Sequence, residues 1–325
     1  MDHRNHENSI FRELSEFGLD EAANAPVFEA EAPEHGESHE KTEAANIERT
    51  IYSKTFRCPV CRRESKIPAI RSSFIRLIRS DTDFMPIYKD PNPLYYFVDF
   101  CKLCGYAATP ANMKNLMDRQ KKLIREKIGA IWKFEKQYPA YYDPKTAIEI
   151  HKLALYNAVV SGDRESVKAI LSLHTGWLYR LAGDAANEKI FLHTACEGFI
   201  RAYKNESGSV GGLDKGSQQY LIGELMRRTG DLSGALDWFK LVLVDRSAKY
   251  QIKELARDQK DLITAGNIQN AAPNATANSV PNATASATSN ATANSASNAK
   301  SNAAASATSN PAAGPVTGPA IKAYS

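Results

Sequence analysis

No run of apolar residues in this 325-residue chain approaches the roughly 18 that a membrane span needs. The start, MDHRNHENSIFRELSEF, also lacks the basic-then-apolar order of an export signal. Both absences lead to the expectation of a soluble, cytoplasmic protein with no membrane partner. Cysteine is scarce, five residues in all, and four of them fall in two CxxC pairs. That distribution argues against a disulfide framework and for metal ligation in a reducing compartment. Charge nearly vanishes from Ala265 to Ser325, where Lys300 and Lys322 are the only charged side chains among Ala, Asn, Ser, Thr and Pro. NATA recurs there at Asn274, Asn282 and Asn290, and such a composition cannot bury a core. Residues 1–50 contain neither Cys nor Trp and hold 13 acidic against 4 basic side chains. They read as an acidic disordered arm.

What remains is a folded part, residues 51–264, with 35 basic and 24 acidic side chains. The excess is uneven: residues 51–142 carry 18 basic and 8 acidic groups, and residues 143–264 carry 17 and 16. The positive field belongs to the cysteine-bearing half.

The pairs are Cys58 with Cys61, in FRCPVCRRES, and Cys101 with Cys104, in DFCKLCGYAA. Two cysteines three apart on a tight turn present both sulfurs to one cation, and two such knuckles complete a tetrahedral Zn2+ site. Pro59 fixes the first knuckle and Gly105 permits a positive φ after the second. The 39 residues between Cys61 and Cys101 must return the chain to its start. IPAIRSSFIRLIR (67–79) reads as one strand of the returning hairpin, DTDFMPIYKDPNP as the connection and LYYFVDF as the second strand. Redox chemistry, buried thiols and an iron–sulfur cluster are the competing readings. Neither CxxC opens a helix of a βαβ unit, which disfavours the redox pair. Four thiolates leave no open position for water, so the expected Zn2+ is one structural ion.

Arg62, Arg63, Lys66, Arg71, Arg76 and Arg79 cluster on this module in sequence, with Tyr88, Tyr95, Tyr96 and Phe97 nearby. Basic strands interleaved with aromatics suit a nucleic-acid backbone and its bases; the plainer reading is a solvated basic face over a small aromatic core. A third reading has the acidic arm folding back on this face.

Thr109-Pro110 and Asp143-Pro144 are helix-start signals. A long helix is expected from the first to Tyr138, and consecutive amphipathic helices from the second to about Leu262. These are punctuated by Gly-Asp corners at 162–163, 183–184 and 230–231. YLIGELMRRTGDLSGALDWFKLVL follows the tetratricopeptide pattern, small residues where helices cross and larger ones filling the gaps, with Gly223 at the close approach. HTGWLYRLAGDAANEKIFLHTA follows it less fully. The fold class expected is therefore α+β and mainly α. A four-cysteine zinc-ribbon-like module (51–109) precedes tetratricopeptide-like helical hairpins (110–264), between a disordered arm (1–50) and tail (265–325).

The succession CPVC, SDTDF, NPLYY, CKLCGYAA, GWLYRLAGD and YLIGELMRRTGD resembles the bacterial family known as domain of unknown function 2225, over about Tyr52 to Asp245. The resemblance implies Cys58, Cys61, Cys101 and Cys104 as metal ligands joined to tetratricopeptide-like helices, and it implies no activity.

No complete catalytic constellation is present. His193 and Cys196 stand three apart on a predicted helix, but IFLHTACEGF reads as a packed face without an orienting acid. His151 and His174 likewise read as helix-face residues. GSVGGLDKGSQQ lacks the order of a phosphate loop, and Asp81 and Asp83 read as turn caps. The function expected is zinc-supported protein interaction, with an unidentified protein segment held by the helical groove and Arg227 and Arg228 meeting an acidic partner. Nucleic-acid binding through the basic module is the alternative, and a metal-dependent enzyme a weaker one.

Overall fold

The computed structural model describes residues 49–139 and 141–271, with Gly18. The rest of the acidic arm and the tail beyond residue 271 lie outside the described residues. Among the described residues six short strands form three antiparallel pairs. β1 (Ile51–Arg57) pairs with β2 (Glu64–Ile70) from Ile51 opposite Ile70 to Arg57 opposite Glu64. β3 (Arg76–Ser80) pairs with β4 (Pro86–Lys89), and β5 (Asp99–Phe100) with β6 (Ala107–Ala108). The first and third pairs each close around one CxxC.

The insert departs from the single hairpin expected. IPAIRSSFIRLIR divides into β2 and β3 around a 3-10 turn, Ser72–Phe74, and β3 pairs with β4, not with the aromatic segment. LYYFVDF is not a strand beyond Asp99 and Phe100. Pro93 opens a 3-10 turn, Pro93–Tyr96, whose first amides are capped when the Asn92 side chain accepts from Leu94 N at 3.0 Å. Its aromatic rings go into the helical half instead: Tyr96 stacks on Tyr142 at 4.9 Å, and Phe97 meets His174 edge-on at 4.3 Å.

Thr109 does cap a helix, accepting from Asn112 N, but α1 (Pro110–Lys114) ends after five residues. The expected long helix is broken. Asn115 closes α1, and the buried Gln120 side chain accepts from Met117 N at 3.0 Å at the start of α2 (Asp118–Ile124). A π-helical turn, Arg125–Gly129, follows directly. Periodicity along this stretch is real, since Met113, Ile124 and Ile128 are buried, yet side-chain capping interrupts the ladder.

From Asp143, whose carboxylate accepts from Thr146 N at 2.8 Å, six helices run in sequence. They are α3 (Pro144–Val160), α4 (Glu165–Leu181), α5 (Ala185–Asn205), α6 (Lys215–Thr229), α7 (Leu232–Val244) and α8 (Tyr250–Ala271). Each packs on the next. Asp184 and Asp231 cap the helices they precede, so two of the three Gly-Asp corners pair a turn with a helix start. α8 continues past Ala265, where the composition already resembles the tail. Among the described residues no helix is long and apolar enough to cross a membrane.

The fold is thus mainly helical, with small antiparallel pairs beside the cysteines. Buried side chains form one continuous core from Cys58 to Ile263. The pairs of strands are too small to bury a core alone, and their apolar residues share that of the helices.

Candidate metal centre

The two knuckles have the same backbone. Cys58 N donates to Arg63 O at 2.9 Å and Arg62 N to Cys58 O at 2.9 Å; Cys101 N donates to Tyr106 O at 2.7 Å and Gly105 N to Cys101 O at 2.9 Å. Arg62 and Gly105 occupy equivalent places with φ of 61° and 71°. Only glycine takes that conformation freely; for arginine it costs on the order of 1 kcal/mol. Gly105 has a second reason to be glycine, because an added Cβ would lie 2.4 Å from the Trp132 ring.

All four sulfurs lie within 4.8 Å of one another. The Cys58 and Cys104 sulfurs are 3.6 Å apart, and those of Cys61 and Cys101 3.7 Å. A tetrahedron with metal–sulfur bonds of about 2.3 Å has edges of about 3.8 Å, so the donor set fits a metal ion. Three of the cysteines are buried and Cys61 is half-buried. Backbone amides of Cys61, Leu103 and Tyr106 donate to the sulfurs of Cys58, Cys101 and Cys104, the bonding a thiolate needs when removed from water. Bare thiols at this spacing compete for protons. The Cys101 sulfur pushes both Cys58 and Cys104 up, while donation from Cys104 pulls Cys101 down. A divalent cation would remove that conflict, since Cys58, Cys61, Cys101 and Cys104 could then ligate it as four thiolates.

Side chains from later in the chain grip the knuckles by their carbonyls. Arg125 donates to Val60 O at 3.1 Å, Trp132 Nε1 to Lys102 O at 2.9 Å and Asn157 Nδ2 to Gly105 O at 2.9 Å. Arg63 reaches Leu103 O at 2.9 Å, and the Cys61 sulfur raises its pKa.

The family described as "Uncharacterized protein conserved in bacteria (DUF2225)" matches residues 51–263. The chain belongs to DUF2225. No curated protein and no solved structure matches it. The matched span of this DUF2225 chain opens at the first residue of β1 and ends within α8, so it takes in the cysteine hairpins and the helical stack together.

What joins the two is SDTDF, the turn between β3 and β4. Asp83, fully buried, accepts from Trp177 Nε1 at 2.9 Å and from Arg180 at 2.6 Å. Asp81 accepts from Arg180 at 2.9 Å and pairs with Arg228 at 3.1 Å. Thr82 donates to Glu224 at 2.6 Å and accepts from Arg228 at 2.7 Å. Phe84, at a φ of 67°, is buried with its ring 5.3 Å from Tyr220. Asp81 and Asp83 thus do more than cap a turn, since they hold the insert against α4 and α6. Arg227 and Arg228 meet an acidic segment within the chain: Arg227 chelates Glu224 at 2.7 and 2.8 Å, and Arg228 bridges Glu224 and Asp81. Burial alone would raise the Asp81 carboxyl, but the Arg228 charge, with Thr82 N–H and Arg180, holds it below its usual range.

The six basic residues of the nucleic-acid alternative are divided among the first knuckle (Arg62, Arg63), β2 (Lys66), the link after it (Arg71) and β3 (Arg76, Arg79). Arg71 lies over the Tyr52 ring at 5.5 Å. Arg62 instead shares a cavity with Pro59 and with Asp118, Lys121, Lys122 and Arg125. The Cys196 thiol is buried, which pushes it up to about 12, while His193 is exposed. That environment is the reverse of an activated thiolate. His151 and His174 are buried, as expected of helix-face residues. Sequence spacing gave no sign of Arg125, Trp132, Asn157 or Arg180, nor of the Thr82 contact of Glu224, because in each case a partner lies far off in the chain.

Proposed function

We propose that this DUF2225 chain is a zinc-supported interaction scaffold, in which one structural Zn2+ on Cys58, Cys61, Cys101 and Cys104 fixes the strand pairs and tetratricopeptide-like hairpins bind a protein segment. The observation that carries the reading is the composition of the cluster: among the described residues it holds four cysteines and no His, Asp or Glu. A closed four-thiolate site organises a fold and leaves no coordination position for a substrate. Support for the repeat-like part comes from close crossings. A Cβ on Gly223 would sit 2.8 Å from the Phe239 ring, and one on Gly176 2.9 Å from Leu192, as a helical-repeat stack requires where its helices approach.

The experiment is capture of partners by the full chain from the source cell, with and without a zinc chelator, and in parallel with Gly223→Leu. Retention of one protein that both treatments abolish supports the scaffold. Identical retention under all conditions overturns it.

A further inference from the structure

We infer that the cavity between the first knuckle and α2 binds a phosphate group. It has a volume of about 250 Å³ and is lined by Pro59, Arg62, Asp118, Lys121, Lys122 and Arg125. Four cations from two distant stretches of chain converge there around one acid. That acid is already engaged, since Asp118 pairs with Lys121 at 2.8 Å. Lys121, with a contribution from Arg62, holds its carboxyl below the usual range. The nearest competing acid for Lys122 is Glu126, at 3.9 Å and well exposed. Arg125 uses one nitrogen on Val60 O and has further N–H groups to offer.

Arg62 is the residue that singles out this place. The second knuckle fills the equivalent position with Gly105, and the two share φ values of 61° and 71°. Glycine satisfies the backbone there without strain; what it cannot supply is a guanidinium. The positive field also exceeds what the cysteine site calls for. Four thiolates on a divalent ion would carry two net negative charges, and Arg63 stands at the second knuckle, donating to Leu103 O at 2.9 Å, apart from the four cations of the cavity. Arginine and lysine around a small concave site are the groups that recognise phosphate, the first by its fork and the second as a point charge.

The test is titration of the full-length, zinc-loaded chain with pyrophosphate and with a single-stranded oligonucleotide, comparing wild type, Arg62→Gly and Lys122→Gln. Arg62→Gly relieves backbone strain, so loss of binding in it is not loss of folding. The expected result is pyrophosphate binding that weakens about tenfold in either variant, with zinc content unchanged and melting temperature not lowered. Oligonucleotide binding that weakens in parallel identifies a nucleic-acid backbone as the source of the phosphate; pyrophosphate binding alone identifies a small phosphorylated ligand. Absence of pyrophosphate binding, or equal binding by Arg62→Gly and wild type, overturns the site. The scaffold reading fails separately: a chain purified without zinc that still binds pyrophosphate through Arg62 removes the metal assignment and leaves the phosphate site standing.

Discussion

The Asp83 carboxylate and the Arg180 guanidinium, 97 residues apart in sequence, meet at 2.6 Å with no part of the carboxylate exposed. This pair fastens the insert between the two knuckles to the helical stack. Removing the carboxylate strands a partly buried cation, whereas Asp81 and Glu188 retain part of its neutralisation. Asp83→Ala is expected to cost about 3 kcal/mol in urea unfolding. Arg180→Lys is expected to recover little, because an ammonium cannot span Asp81 and Asp83 together. An Asp83→Ala chain as stable as wild type shows that the turn is not held by this pair.

Metal content decides the cysteine site. The purified protein is expected to carry about one equivalent of zinc, and Cys58→Ser or Cys104→Ser to lose it with several kcal/mol of stability. Elemental analysis that finds no metal, or iron with visible absorption, would falsify the assignment.

Acid should weaken the fold well above the carboxylate range. Burial pushes His151 down to about 4 from 6.5, and burial, with His151 beside it, holds His174 well below the same value. Between those values the unfolded chain binds protons that the folded chain does not. Stability is therefore complete above about pH 6.5 and falls as the pH drops toward 4, by roughly 3 kcal/mol from His151 alone. Urea midpoints measured across that window check it. His151→Asn, which keeps a donor for Ala147 O, should flatten the slope; an unchanged slope in that variant assigns the acid sensitivity elsewhere.

Gly223→Leu places carbon where Phe239 and Trp238 already stand, 2.8 to 3.2 Å away. Overpacking of this crossing is expected to cost about 1–3 kcal/mol or more and to lower partner retention. Full helicity by circular dichroism together with full retention would mean that α6 and α7 tolerate separation.

Much of this was legible in the sequence for a physical reason. Knuckle spacing, Thr109 and Asp143 as caps, Gly-Asp corners and Gly223 at a crossing are local requirements, written within a few residues of where they act. The failures share the opposite character. LYYFVDF has strand composition, but its rings are claimed by Tyr142 and His174. The helix expected after Thr109 is cut by Gln120, a residue that also donates to Asp163 43 positions away. Asp81 and Asp83 looked like turn residues because Arg180 and Arg228 cannot be paired with them from spacing. Arg62 was grouped with the basic residues of the strands, whereas the fold places it with Lys121, Lys122 and Arg125.

The distance along the chain from Thr82 to Arg228, 146 residues, also sets an order of assembly on the ribosome. All four thiols have been synthesised once Cys104 is added, but the side chains that receive SDTDF do not exist until α4 and α6 have been made. At about 5–20 residues per second, Phe84 and Met85 spend roughly 7 to 30 seconds without the surfaces that later bury them. During that interval these two side chains, both buried in the finished fold, have no helical surface to pack against.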